Sequence, residues 1–93
     1  MVIGILQLEI HFFNPQSLKE KRMLLKSLVS RMKNKFNISI AEIDGMDLWQ
    51  KTALAIAVVG SESRRVNQLL DHVISFVHEE KDLEVTREHM EIV

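Results

Sequence analysis

The sequence predicts one α+β domain in which two helices cover one face of a four-stranded antiparallel sheet. Four separate stretches alternate apolar residues with other residues, which is the period of a half-buried strand. Two longer stretches repeat their apolar residues every three to four positions, as amphipathic helices do. The resulting order, β-α-β-β-α-β, is the ferredoxin-like arrangement of two interlocked split βαβ units. Right-handed crossovers then place both helices on the same side of the sheet.

Length and composition set the first limits. The 93 residues suffice for a single domain, 1–93, and a hydrophobic fraction of 46% with 27% charged residues is typical of a globular one. The absence of Cys excludes a disulfide framework and a cysteine nucleophile, and it fits a reducing cytoplasm. We predict no signal peptide and no membrane segment, because no basic start precedes the first strand and no apolar run approaches about 20 residues.

The first strand, predicted over 2–13, has one face for the core and a second, mixed face. Before Gln7 both faces are apolar, since Ile3 and Ile5 lie on the mixed one. This pattern is typical of a central strand whose second face is also covered. We therefore expect the open face of the sheet to meet a second subunit or a ligand. The residues predicted at that interface are Ile3, Ile5, Gln7 and His11.

The first helix is predicted to run from a cap at Ser17 to about Phe36. Ser17 and Glu20 match the capping box S-x-x-E, in which the hydroxyl accepts a backbone N–H bond and the carboxylate reaches back to the cap. Asn37 suits the position that stops a helix. The apolar residues that cluster on one side of this helix, and that we expect in the core, are Leu18, Leu25, Leu28, Val29, Met32 and Phe36.

The same helix holds most of the positive charge of the chain. Residues 15–36 contain seven of the twelve Lys and Arg residues and one acid, whereas the whole chain has a net charge of −1. Segregated charge is typical of a protein that binds polyanions with one face. A solvated surface, or pairing with the acidic second half of this chain or of a dimer partner, is the alternative. The bases predicted to contact RNA or another partner are Lys19, Lys21, Arg22, Lys26, Arg31 and Lys33.

The remaining elements complete the fold. The third strand is β-branched, alanine-rich and uncharged, so we expect it to be buried and central. It has no aromatic residue, which argues against the RNA readers that stack bases on their central strands. The last strand is charge-rich, as an edge strand tends to be. The predicted ranges are 37–44 for the second strand, 52–59 for the third, a helix capped by Ser61 or Ser63 that ends near Glu80, and 84–93 for the last strand.

Two other groups of residues allow more than one interpretation. Glu42, Asp44 and Asp47 could supply oxygen ligands to a hard cation. We favour a polar strand end followed by an Asp-Gly turn, in which Glu42 pairs with Lys21 or Arg22 of the first helix. Trp49 is either a stacking platform and partner anchor or, as is more usual for a loop Trp beside a Leu, a cap on the edge of the core.

Motifs for chemistry are few. His11, His72, His78 and His89 lack the spacing of metal ligands, so we predict no metal site. The chain contains no Gly-x-Ser-x-Gly and no glycine-rich phosphate loop. We therefore expect no catalytic residues and no cofactor.

Three segments resemble a known family. These are S-L-K-E-K-R at 17–22, K-F-N-I-S-I-A-E at 35–42 and D-L-W-Q-K at 47–51. Together they are similar to the YlxP-like family of small bacterial proteins, a domain of unknown function, and the similarity runs essentially end to end. It implies a ferredoxin-like fold, a cytoplasmic setting, and genes near those for ribosome maturation and translation initiation. It implies no catalytic residue. The residues it singles out are Ser17, Leu18, Lys19, Lys21, Arg22, Asn37, Ser39, Glu42, Asp47 and Trp49.

From these features we expect a non-enzymatic binding module. It would be a homo-oligomer, most simply a dimer paired through the open sheet face, that contacts RNA or the ribosome and no membrane. The bases on one flank of the first helix would carry that contact: Lys19, Arg22, Lys26 and Lys33. The alternatives are a protein-interaction or stress-associated oligomer without nucleic acid, and a small-molecule sensor or enzyme with its ligand at a subunit interface.

Overall fold

The computed structural model describes residues 1–93 and confirms the predicted order of elements. They are β1 (Val2–Phe12), α1 (Leu18–Lys35), β2 (Ser39–Asp44), β3 (Lys51–Gly60), α2 (Ser63–His78) and β4 (Leu83–Ile92). The sheet order is β2-β3-β1-β4, and every neighbouring pair is antiparallel. The ferredoxin-like α+β fold is therefore the one predicted, with β1 and β3 in the centre. Neither helix is long and apolar enough to cross a membrane.

The core lies between the two helices and one face of the sheet. Every second residue of β1 and β3 points into it, as period-two alternation requires. On α2 the inward residues recur every three or four positions, which gives the helix one buried stripe. The fifteen apolar residues of this cluster are Leu6, Leu8, Ile10, Phe12, Leu25, Leu28, Met32, Leu54, Ile56, Val58, Val66, Leu70, Val73, Val77 and Leu83.

The first helix begins as predicted but buries a somewhat different set of side chains. The Oγ of Ser17 accepts a hydrogen bond from the backbone N–H of Glu20 at 3.1 Å, which confirms the N-cap. Leu25, Leu28 and Met32 are buried, whereas the predicted core residue Leu18 is only half-buried and lies outside the core cluster. The first full turn of the helix presents Lys21 inward instead, so the apolar stripe begins one turn later than predicted.

The start of the second helix differs from the prediction. Its N-cap is Glu62, and no side chain makes a capping hydrogen bond there. Neither predicted cap is correct: Ser61 precedes the N-cap residue, and Ser63 is already the first residue of α2. Its first turn also contains no acid that would interact with the helix dipole. The helix is therefore stabilised by packing against the sheet and not by interactions at its N-terminus.

The open face of the sheet divides into an apolar end and a charged end. At the apolar end Ile3 pairs with Val59 across the strands, and Ile5 lies between Ala57 of β3 and Glu91 of β4. At the other end His11 of β1 stands opposite Lys51 on one side and Glu84 on the other. Bulges in the β1–β4 and β2–β3 ladders lie toward this charged end, where they bend both edge strands.

Gly4 provides a test of how closely α2 packs on the sheet. A Cβ atom at this buried position would lie 2.4 Å from Cγ1 of Val66 and 2.9 Å from Cδ1 of Leu70. Gly4→Ala should therefore push α2 outward and lower the free energy of unfolding by about 1–3 kcal/mol. Urea denaturation followed by far-UV circular dichroism measures this. Gln68→Ala, on the exposed side of α2, is the control that should leave the midpoint nearly unchanged. An unaltered midpoint for Gly4→Ala would contradict the close packing.

Candidate functional site

One lysine of α1 is fully buried. The side chain of Lys21 is 0% exposed, and its Nζ donates hydrogen bonds to Oε2 of Glu42 at 3.1 Å and to the carbonyl oxygen of Gly45 at 2.9 Å. The hydroxyl of Thr52 donates to the same Glu42 oxygen. A buried ammonium group is tolerated only when charged and polar acceptors replace its water. The predicted pairing of Glu42 with a base of the first helix is confirmed, and Lys21 is that base.

This network holds the loop between β2 and β3 against the start of α1. The carbonyl oxygen of Gly45 accepts from Lys21 and also from the backbone N–H of Leu48 at 3.0 Å. Gly45 adopts a φ of 80°, a left-handed conformation that glycine reaches without strain. At the other end of the loop the carbonyl oxygen of Gln50 accepts from the backbone N–H of Phe12 at 2.8 Å. Residues 45–50 are thus fixed at both ends.

The prediction that Lys21 contacts a partner is wrong. Its ammonium group has no accessible surface and is already saturated by internal acceptors. The sequence did contain the signal for burial. Leu25, Leu28 and Met32 follow Lys21 at spacings of four, seven and eleven residues, which places all four on one side of a helix. A lysine at such a position nevertheless indicates an exposed base, since ammonium groups are seldom fully buried.

Four exposed bases follow one side of α1, and we refer to them as the basic flank. They lie within about 60° of one another around the helix axis and extend over about 21 Å along it. Three of them form no ion pair with an acid of the chain, while Nη2 of Arg22 lies 3.8 Å from Oδ1 of Asp47. Both of these side chains are exposed, so the pair stabilises the fold little. The basic flank consists of Lys19, Arg22, Lys26 and Lys33.

The bases on the opposite flank of α1 are engaged within the chain. Arg31 donates two parallel hydrogen bonds to the carboxylate of Glu80, at 2.6 and 2.9 Å, and this contact raises the pKa of the Arg31 guanidinium. Nζ of Lys35 lies 5.8 Å from the ring centre of Phe36 and 5.2 Å from that of Phe76. Arg31, one of the bases predicted to contact a partner, therefore joins α1 to the residue that follows the C-cap of α2.

The side chain of Trp49 does not cap the core. It is 54% exposed and lies outside the set of side chains that pack on the core cluster, so the commoner of its two interpretations is wrong. Met46 and Leu48 of the same loop are also about half exposed. The contact between Asp47 and Arg22 joins this loop to the first turns of the basic flank. Leu48 also lines a depression on the open sheet face, so the loop lies between that depression and the first turns of the basic flank.

The open sheet face is different in character. A depression of about 440 Å³ at its charged end is lined by three acids, Glu9, Asp44 and Glu84, and by His11 and Lys51. No three side chains of His, Cys, Asp or Glu converge there or elsewhere as metal ligands. Nδ1 of the His11 ring is buried without a hydrogen-bond partner, 3.7 Å from Oε1 of Glu84. Carboxylates at this end oppose the approach of phosphates, so the two sides of the molecule differ in electrostatic character.

The predicted interface residues share this open face. Ile3 and Ile5 are half-buried within the monomer, Gln7 is exposed, and His11 lines the depression. Val59, which the sequence did not single out, is the most exposed aliphatic side chain beside them, at 69%. Coverage of this face by a second subunit stays a prediction.

Removal of the buried ammonium group should destabilise the protein. Lys21→Ala leaves Glu42 without its cation, the Gly45 carbonyl without one donor, and a cavity in the first turns of α1. We expect the free energy of unfolding to fall by about 3 kcal/mol, measured by urea denaturation. The matched control is Lys19→Ala, two residues away on the exposed side, which should leave the midpoint nearly unchanged. Equal midpoints for the two variants would contradict the structural role of Lys21.

Comparison with known proteins shows the family to which the chain belongs. Residues 3–90 match the family described as "Protein of unknown function (DUF503)". The chain is also 39% identical over 85 residues to the "Uncharacterized protein YlxP" of Bacillus subtilis (strain 168). That alignment covers 91% of this chain and 92% of the Bacillus protein. The predicted resemblance to the YlxP-like family is thereby confirmed, and the chain belongs to the DUF503 family.

Proposed function

We propose that this protein is a non-enzymatic RNA-binding module that contacts phosphates through the basic flank of α1. The observation that supports it is the placement of four exposed cations on one side of a helix, three of them without an acidic partner. An exposed lysine flank that is not neutralised within the chain attracts polyanions, and each phosphate it neutralises releases counterions.

The distribution of charge on the rest of the molecule supports the same surface. Glu9, Asp44 and Glu84 make the charged end of the open sheet face unfavourable for phosphates. Neither β3 nor the exposed side of β1 between Ile3 and Glu9 offers an aromatic ring on which bases could stack. An RNA partner therefore approaches this protein from its helical side, unlike the ferredoxin-like RNA readers that use their sheet.

RNA binding of this kind requires no chemical step. The residues that support it are cations suited to neutralising phosphates, and the network around Lys21 serves to position the loop beside them. The setting we propose is the cytoplasm, which fits a chain without Cys. The alternative is an acidic protein partner on the same flank, and the experiment below separates the two.

Neutralising the basic flank should abolish most RNA binding. In the variant Lys19→Gln, Arg22→Gln, Lys26→Gln, Lys33→Gln we expect the affinity for an RNA oligonucleotide to fall by at least about tenfold. The slope of log affinity against log salt should decrease by about 3, since four phosphate contacts are lost. Fluorescence anisotropy titrations at several salt concentrations measure both. The fold should persist, because none of these four side chains is buried.

The matched control removes the same charge elsewhere. Residues 61–93 also hold four bases, so Arg64→Gln, Arg65→Gln, Lys81→Gln, Arg87→Gln loses four positive charges without touching α1. This variant should retain most of the affinity. Equal losses in the two variants, or binding that does not depend on salt, would overturn the proposal. Recovery from nuclease-treated extract of an acidic protein that binds only the unaltered flank would favour the alternative.

We propose further that two copies of the chain associate through the apolar end of the open sheet face. Ile3 and Ile5 lie there beside Val59, whose side chain is largely exposed in the monomer. A two-fold axis through this end would bring Ile3, Ile5 and Val59 of the two copies together, with Glu91, the β4 neighbour of Ile5, at the edge of the contact. Such a contact is self-complementary, as an isologous interface must be. It also leaves the basic flank free on the other side of each sheet.

Self-association should depend on Val59. Sedimentation velocity over a range of protein concentrations should show a monomer–dimer equilibrium, because only part of one sheet face is buried. Val59→Asp should shift it to the monomer, since each copy would place a carboxylate in the apolar contact. Leu48→Asp is the control, an exposed apolar residue of the loop 45–50 that should leave the equilibrium unchanged. A monomer at every concentration would contradict the proposed contact.

A further inference from the structure

The loop that contacts the start of the basic flank carries an exposed tryptophan. Trp49 is the only tryptophan of the chain, and more than half of its surface is accessible. Indole rings usually bury most of their large area. An exposed indole on a fixed loop would therefore lower the free energy by becoming buried against a partner. The anchoring of residues 45–50 through Gly45 and Gln50 means that little conformational freedom is lost when a partner binds there.

The loop and the basic flank are contiguous. Asp47, two residues before Trp49, reaches Arg22, and Arg22 is followed on the same side of α1 by Lys26 and Lys33. Beyond Lys33 the C-terminal end of the helix borders a polar depression that is lined by Lys33, Asn34, Lys35, Phe36, Asn37, Ile38 and Ser39. The loop that carries Trp49 is therefore followed by a row of cations along the helix and then by a group of hydrogen-bond donors.

We propose that Trp49 is a base-stacking platform and that the RNA bound along the basic flank is single-stranded. This inference rests on the proposed function and deepens it. A positively charged track that follows the backbone, combined with an aromatic side chain under a base, is the combination by which proteins hold single strands. A duplex offers no unstacked base to Trp49, so it would gain only the phosphate contacts.

A phosphate bound beside Trp49 would have to displace Asp47 from Arg22. The carboxylate of Asp47 is almost fully exposed and holds Arg22 at 3.8 Å, a distance at which the pair is weak. A phosphate next to the stacked base would take over Arg22, and Asp47 would turn to solvent. The other exposed aromatic side chain of this end, Phe13, packs its ring against His11 on the side of the open sheet face. It therefore lies outside the track.

The test compares single-stranded and duplex RNA of about 12 nucleotides, a length within the range that single-strand binding sites cover. Trp49→Ala should weaken binding of the single strand about tenfold and leave the affinity for the duplex within about twofold. Trp49→Phe should restore most of the loss, because a phenyl ring still stacks. Phe13→Ala is the control for loss of an exposed aromatic ring, and it should bind like the unaltered chain. The fluorescence of Trp49 should be quenched as the single strand is added and not when the duplex is.

The outcomes separate this inference from the proposed function. If the glutamine variant of the basic flank loses affinity while Trp49→Ala binds the single strand normally and no quenching occurs, the stacking role is wrong and the RNA-binding function stands. Equal losses for single strand and duplex in Trp49→Ala would also overturn the stacking role. If the unaltered chain binds neither RNA, the proposed function fails and this inference with it.

Discussion

The hydrogen-bonded ion pair between Lys21 and Glu42 is the interaction on which the arrangement of this protein's surface depends. It occupies an inward position of α1 where a leucine would give a simpler core. Such a pair is a weak source of net stability, since two charges lose much of their water. The pair matters because its hydrogen bonds fix the relative positions of the groups that they join. Lys21 also reaches the carbonyl oxygen of Gly45, so the charge fixes where α1 lies relative to the loop that follows β2 in a way that apolar packing does not.

Two surfaces result from that placement. On the helical side the loop that carries Trp49 meets the first turns of the basic flank, and on the sheet side the charged end of the open face collects carboxylates. The seven bases of residues 15–36 are correspondingly divided. Lys21, Arg31 and Lys35 bind acids, a carbonyl group or aromatic rings within the chain, and four remain on the flank. The net charge of −1 does not reveal this division. A partner interacts with the local electric field of one surface and not with the net charge of the whole chain.

The fold was predictable from the sequence because its determinants are local. Period-two alternation defined β1 and β3, and the hydroxyl of Ser17 defined the start of α1. The contacts of the candidate site were harder to predict from the sequence. Glu80 lies 49 residues from Arg31, and no local pattern connects them. The exposure of Trp49 depends on the path of a loop that is set by Lys21, Gly45 and Gln50 together, so the neighbouring Leu48 was a poor guide to its burial.

The burial of Lys21 changes what its sequence segment means. In S-L-K-E-K-R the three bases have three different roles: Lys19 faces solvent, Lys21 holds the loop, and Arg22 touches Asp47 of that loop. A structural charge and two exposed charges thus alternate within a single helical turn. Of these three bases, Lys19 and Arg22 are exposed and could contact RNA. Trp49 could contribute to the same contact only if its loop is held beside them, and Lys21 holds the loop there. The buried lysine therefore acts on the proposed binding surface without touching a partner.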